Sequence, residues 1–370
     1  MSLISETIRP SGPLQVERAI ADFRGGYPVV LEEGGEAFLV QSIENLPDAY
    51  RSALEKLAGG AAHLVLSSAR LRKLNITHTD IGCIPLKELD IPTIERLALT
   101  PDARLDGPLQ APVWADRVAL ELARLSLVLP AVIVIPLKRG AEVDPDMTRV
   151  PAEAVRRYRK WRVRRIAPVS RAFVPLEGAL QTEFVVFRGG EGLRDQVAVI
   201  VGTPDLSRPV LTRLHSACLT GDLFGSLKCD CGDQLRSTVR FMAEHNGGIL
   251  LYLDQEGRGN GIANKIRAYR LQAQGYDTFD ADEIIGFDQD QRHFDFAVEM
   301  LRQLGVTQVR LMTNNPRKIA ALREAGMNVV SDQRVTGRPT PQNAGYLRTK
   351  RDRAGHLLEA GDLEPDDEKT

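Results

Sequence analysis

The chain has 370 residues, 48 Lys+Arg against 49 Asp+Glu, a formal net charge of −1 and 43% apolar side chains. That length calls for two domains, and the even charge balance argues against a protein that coats nucleic acid or an acidic membrane. The most apolar run, 125–137, is 13 residues long and holds Pro130 and Pro136, short of the roughly 20 that a membrane helix needs.

In chain order, the start Met1–Glu6 has neither a basic stretch nor an apolar core, so no secretory signal is expected and the chain reads as cytoplasmic. Val16, Ala19, Ile20 and Phe23 fall at i, i+3, i+4 and i+7 after Pro13, with Gly25 and Gly26 behind them, which predicts an amphipathic helix. Short strands over 29–31 and 37–40 flank a Gly34-Gly35 turn, followed by a helix over 48–57 and an apolar strand over 63–66. Residues 139–170 read as a connector broken by Asp144, Pro145, Asp146 and Pro151. Within it, 156–165 carries seven basic side chains in ten positions, with Tyr158 and Trp161 between them. Two readings fit that run: a solvated linker helix, or a patch for phosphates or a partner subunit. From about 170, apolar strands (183–187, 196–201, 210–214, 248–253, 308–312) alternate with helices (234–244, 263–272, 292–304, 317–324). The fold class is therefore α/β, of mixed α+β character, in two domains. The last stretch, from Arg351, has seven acids and three bases in 20 residues and is expected to be frayed and solvated.

Four cysteines are too few for a disulfide scaffold, and three of them, Cys218, Cys229 and Cys231, fall within 14 residues. Their C-x10-C-x-C spacing gathers soft thiolates, the donor set of zinc or an iron–sulfur cluster. Spacing leaves two arrangements open. Three protein ligands with a free fourth position would be a catalytic site, whereas His215 as a fourth ligand would close a structural one. Thr220, Gly221, Asp222 and Gly225 surround the cluster with polar and backbone groups, and Arg213, His215 and Lys228 add positive charge. A metal-activated water beside such a cradle suits hydrolysis of an anionic substrate.

The blocks RLHSACLTGDLFGSLKCDCGDQL (213–235), QEGRGNG (255–261), NKIRAY (264–269), GYDT (275–278) and LMTNNPRK (311–318) occur in this order. Together they resemble the GTP cyclohydrolase II family over roughly 170–350, a zinc hydrolase fold. The resemblance implies hydrolysis of GTP to 2,5-diamino-6-(5-phosphoribosylamino)pyrimidin-4(3H)-one, formate and pyrophosphate, the first step of riboflavin biosynthesis. It implies one Zn2+ per subunit on Cys218, Cys229 and Cys231, Mg2+ with the triphosphate, and a homodimer. Asp290 matches a proton acceptor, Tyr269 the tyrosine of the ring-opening step, and Arg292 a nucleophile. A guanidinium is protonated at any ordinary pH, so phosphate clamping by Arg292 fits the same position. Substrate contacts carry over to Arg213, Leu214, His215, Ser216, Ala217, Gln234, Glu256, Gly257, Arg258, Thr278, Thr313 and Lys318. Ala217 stands where the family has an acid, Asn260 where a bulky apolar residue is common, and 337–346 departs from the usual form. These departures leave two alternatives: a paralogue opening a different nucleobase ring, or a catalytically silent nucleotide-binding regulator.

Residues 16–31 resemble the opening of 3,4-dihydroxy-2-butanone-4-phosphate synthase, but the acidic metal-binding run of that family does not follow; Glu32-Glu33-Gly34-Gly35-Glu36 stands there instead. The resulting division is a degenerate, noncatalytic synthase-like domain over 1–140, a basic linker over 141–169, a catalytic domain over 170–350 and a charged tail over 351–370.

Overall fold

Near-continuous apolar runs along the central strands give each sheet two faces to bury, and both are covered except along the edge strand Ala167–Phe173, which is exposed throughout. The computed structural model describes residues 12–46, 48–76, 80–105, 107–190, 194–288, 291–359 and 361. It divides into two units: Met1–Trp161 with Ala263–Gln291, and Arg162–Ile262 with Arg292–Thr370.

The first unit is built on strands β1 (Val29–Glu33), β2 (Glu36–Ser42), β3 (His63–Leu66), β4 (Gly82–Pro85), β5 (Ala131–Leu137) and β6 (Arg149–Pro151). They pair in the order β4-β3-β5-β2-β1-β6. All pairs are antiparallel except β1 with β6. The expected turn between β1 and β2 forms at Gly34 and Gly35, with φ of 59° and 84°, the left-handed pair that matches strand twist in a two-residue hairpin. Leu39, Leu64, Leu66, Ile133 and Ile135 point to one face, and Val40, Val65, Val132 and Val134 to the other, as period-two alternation requires. The second face is covered by helix Gly12–Arg24, through Val16, Ala19, Ile20 and Phe23, and by helix Trp114–Leu125.

The stretch read as a connector is structured. It holds β6, helix Ala152–Arg164 and the start of the next strand, and Val155 and Tyr158 are buried on the second face. A further difference concerns 263–291, expected inside the C-terminal domain. Its helices Ile262–Gln272 and Thr278–Ile284 place Ala268, Leu271, Ala281, Ile284, Ile285 and Phe287 in the first unit's core, beside Leu71, Leu74, Ile94 and Leu97.

The second unit carries β7 (Ala167–Phe173), β8 (Thr182–Arg188), β9 (Asp195–Val201), β10 (Val210–Ser216), β11 (Gly248–Leu253), β12 (Gln308–Met312) and β13 (Asn328–Gln333). Their order is β13-β12-β10-β11-β9-β8-β7. The run from β13 to β11 is parallel, and β9, β8 and β7 continue it antiparallel. Helices Asp295–Gln303 and Pro316–Glu324 pack on one face and helix Cys231–Glu244 on the other. Loops leaving the C-terminal ends of β10, β11 and β12 therefore open on one edge, the place where α/β sheets carry sites.

Candidate metal centre and nucleotide site

β10 ends at Ser216, and Cys218 follows as the N-cap of the short helix Leu219–Asp222. Cys229 lies in the next loop, and Cys231 opens helix Cys231–Glu244. The three Sγ atoms lie within 4.8 Å of one another, with Cys218 and Cys229 at 3.6 Å. Gly221 makes the room: a Cβ there would stand 2.7 Å from Cys229 Sγ and 3.1 Å from Cys218 Sγ. Three convergent thiols over a glycine floor fit a thiophilic ion such as zinc. Among the described residues, no His, Asp or Glu joins the three cysteines within that distance.

His215 is held elsewhere. Its Nε2 lies 3.0 Å from both carboxylate oxygens of Asp222, and its ring stacks on Tyr252 with centroids 5.6 Å apart. Burial lowers its pKa although Asp222 pulls the other way, so the ring is neutral and donates from Nε2. Asp222 also accepts from the Cys218 amide at 2.9 Å and the Tyr252 hydroxyl at 3.0 Å. One carboxylate thus ties the first cysteine's backbone to β10 and β11.

A second chain of polar contacts runs behind the other two cysteines. Arg213 is buried and donates to Met312 O at 3.0 Å and Gln234 Oε1 at 2.5 Å; burial brings its pKa down to about 10, still protonated at neutral pH. Gln234 Nε2 donates to Asp230 Oδ2 at 2.5 Å, and Lys350 Nζ donates to Asp230 Oδ1 at 3.0 Å. Burial alone would raise the Asp230 pKa, but Lys350 and then Arg213 hold its carboxyl below the ordinary value.

Beside this lies a cationic edge. Lys318 Nζ donates to Leu214 O at 2.7 Å, and Arg292 donates to Ser216 Oγ at 3.4 Å. Lys318 Nζ and the Arg292 guanidinium stand 5.5 and 5.8 Å from the Phe294 ring centroid. Glu256 accepts from the Leu219 amide at 2.6 Å. Gly257 and Arg258 both take left-handed backbone, φ 60° and 62°. For an arginine that conformation is strained, and strain of this kind collects at ligand-binding loops. Thr313, just past the end of β12, and Lys318, on helix Pro316–Glu324, are buried, and the Ala217 amide donates to Leu253 O at 2.7 Å.

Of the residues singled out from sequence, Arg213 to Ala217, Gln234, Glu256 to Arg258, Arg292, Thr313, Lys318 and the cysteines belong to the second unit. Tyr269 and Thr278 belong to the first: Tyr269 is half-buried with Lys265 Nζ 5.6 Å from its ring centroid, and Thr278 opens its helix. Asp290 lies outside the described residues.

The expectation of a frayed tail fails up to 359. Helix Ala344–Ala354 runs past Arg351, and the Leu357 amide donates to Asn314 O at 2.9 Å. Lys350 and Tyr346 are missed by sequence reasoning; their four-residue spacing, which puts both on one helix face, is the available sign. The first unit holds another buried group, His63, Cys83 and Asp116. There Asp116 meets His63 Nε2 at 2.7 Å, the Cys83 thiol at 3.2 Å and the Val113 amide at 2.7 Å. Burial raises the thiol's pKa, and the group reads as an internal hydrogen-bond network.

The profile of the family described as GTP cyclohydrolase II matches residues 169–334. A GTP cyclohydrolase-2 of Xylella fastidiosa is 42% identical over 363 residues, covering 94% of this chain and 88% of its own. A riboflavin biosynthesis protein RibBA of Aquifex aeolicus is 32% identical over 399 residues, covering 93% and 97%. A crystal structure of RibBX, a two-domain 3,4-dihydroxy-2-butanone 4-phosphate synthase from A. baumannii, covers 87% of this chain and 99% of its own at 17% identity. Its TM-score of 0.33 is too low to bear on fold or function.

Proposed function

The chain belongs to the GTP cyclohydrolase II family, and from that premise we propose that it hydrolyses GTP to 2,5-diamino-6-(5-phosphoribosylamino)pyrimidin-4(3H)-one, formate and pyrophosphate, the first step of riboflavin biosynthesis. The observation that carries this reading is the convergence of three cysteine thiols with no fourth His, Asp or Glu among the described residues. That is the ligand count of a zinc centre with a free position, where the metal, when bound, lowers the pKa of its water to about 7.

The chain's own residues supply the rest. Arg258, Arg292 and Lys318 meet the triphosphate oxygens, for which guanidinium forks and an ammonium are suited. Arg292, resting on Ser216 Oγ and over Phe294, is oriented as a clamp, and its permanently protonated guanidinium makes it a poor nucleophile. Glu256 offers the acceptor that the guanine N1 and 2-amino donors require, a pairing that favours guanine over bases lacking those donors. The Asp222–His215 contact argues against the silent-regulator reading, because it takes away the residue best placed in sequence to close the metal site. Tyr269 for the ring-opening step, Asp290 as proton acceptor and Thr278 as a substrate contact belong to the same proposal. So do Mg2+ on the triphosphate, a homodimer and a cytoplasmic setting. Among the described residues, no helix is long and apolar enough to cross a membrane. Residues 1–140 are proposed to be noncatalytic, since the acidic metal-binding run of the synthase family does not follow their synthase-like opening.

The test is an anaerobic, zinc-replete incubation with GTP, assayed for formate, pyrophosphate and the diaminopyrimidine, with Cys229→Ser as control. All three products from the parent chain and none of the formate from Cys229→Ser are expected. Intact GTP after incubation with zinc-loaded protein would overturn the reading, and turnover of another nucleotide would install the paralogue in its place.

A further inference from the structure

The loop that carries Cys229 and Cys231 is held by a segment more than a hundred residues further along the chain. Thr340 Oγ1 donates to Leu227 O at 3.0 Å, two residues before Cys229. Gly337 passes so close to Asp230 that a Cβ there would lie 2.7 Å from Asp230 Cβ and 2.8 Å from its carbonyl oxygen. Lys350 then reaches Asp230 itself at 3.0 Å, with side chains 14% and 3% exposed, and its ammonium lies 4.2 Å from the Tyr346 ring centroid. The segment is ordered from within: Thr340 and Asn343 exchange backbone-to-side-chain hydrogen bonds at 2.8 and 3.1 Å, and Asn343 Nδ2 donates to Arg338 O at 3.0 Å.

Charge explains why a cation belongs there. Three thiolates around a divalent ion leave one net negative charge, and Asp230 adds a second between two of them. A buried carboxylate is tolerated only when paired and hydrogen-bonded. Gln234 serves one Asp230 oxygen and Lys350 the other. We infer that residues 337–350 clamp the metal loop and that Lys350 is a positioning residue for Cys229 and Cys231, acting through Asp230. This rests on the zinc reading given above and extends it to a helix that lies beyond the stretch matched by the family profile.

The experiment compares full-length parent, Lys350→Met, Asp230→Asn and the Lys350→Met/Asp230→Asn double variant. It reads zinc per chain by elemental analysis and zinc transfer to a chromogenic chelator. Melting of each metal-free protein is followed in parallel. The parent should hold one zinc, and Lys350→Met should lose affinity on the order of 10- to 100-fold, the cost usual for outer partners of metal ligands. The double variant should recover most of that loss, because neither charge remains; a contact that only packs the helix would give losses that add. Lys350→Met holding zinc as tightly as the parent, or a double variant weaker than both singles, would overturn the inference. If Lys350→Met does not fold, the comparison of Asp230→Asn with the double variant decides, since removing Lys350 should then cost little. A parent chain that binds no zinc would instead remove the metal reading itself.

Discussion

At the scale of single residues, His356 offers a pH test of how the C-terminal segment is seated. Burial is the main reason its pKa falls, to about 3, and the facing Lys350, Arg292, Lys318 and Arg258 push in the same direction. The folded pKa thus lies below the ordinary 6.5 of the free imidazole. Above 6.5 the ring is neutral whether the segment is seated or released, and it takes nothing from stability. As pH falls from 6.5 towards 3, the released form binds a proton that the seated form refuses, so seating weakens across that window. The Leu357 amide, bonded to Asn314 O, reports it: after correction for intrinsic exchange, its protection should drop between pH 7.5 and 5.5. His356→Gln should flatten the drop, and an unchanged drop in that variant would reject the assignment.

At the scale of elements, what was legible in the sequence follows from periodicity and short spacing. The four apolar positions of helix Gly12–Arg24 are all buried, and the Gly34-Gly35 hairpin forms as its turn chemistry requires. The cysteines were legible as a metal set because all three lie in one short stretch. Asp230 and Lys350 are 120 positions apart, and no local pattern links an acid to a lysine at that distance. Helix Ala344–Ala354 buries only Ala344 and Leu347, too few for an apolar stripe to announce it. The placement of helix Thr278–Ile284 in the first unit was likewise hidden, since its apolar packing and its polar contacts join positions far apart in the chain, a buried cation among them. Arg70 is 1% exposed and donates to Leu97 O at 2.7 Å, Thr100 O at 2.6 Å and Ile284 O at 3.0 Å. It therefore satisfies carbonyls at the C-terminal ends of two helices at once, where a positive charge is favoured. Burial lowers its pKa to about 10, which leaves it charged at neutral pH. Arg70→Met keeps the volume and removes the donors, and should cost about 3 kcal/mol of stability. The urea midpoint of the full chain measures this, and a loss under about 0.5 kcal/mol, the scale of a neutral surface change, would mean that the carbonyls find other partners.

At the scale of the whole molecule, the path of the chain matters more than its division into two units. It leaves the second unit after Ile262, contributes Ala263–Gln291 to the first, and returns at Arg292. The cysteines and the residues that hold them, Asp222, Asp230 and Lys350, stay in the second unit, whereas Leu271, Ile284, Ile285 and Phe287 complete the first unit's core. Metal binding and stability should therefore separate when the chain is cut. A piece comprising 162–370 keeps every cysteine ligand and should still bind one zinc. Its residues 263–291 lose the core they fill, and each large apolar side chain returned to water forfeits about 1.5–3 kcal/mol. The piece should melt well below the full chain and bind a hydrophobic dye that the full chain excludes. Were it to melt with the full chain and leave the dye free, the packing of 263–291 into the first unit would be dispensable.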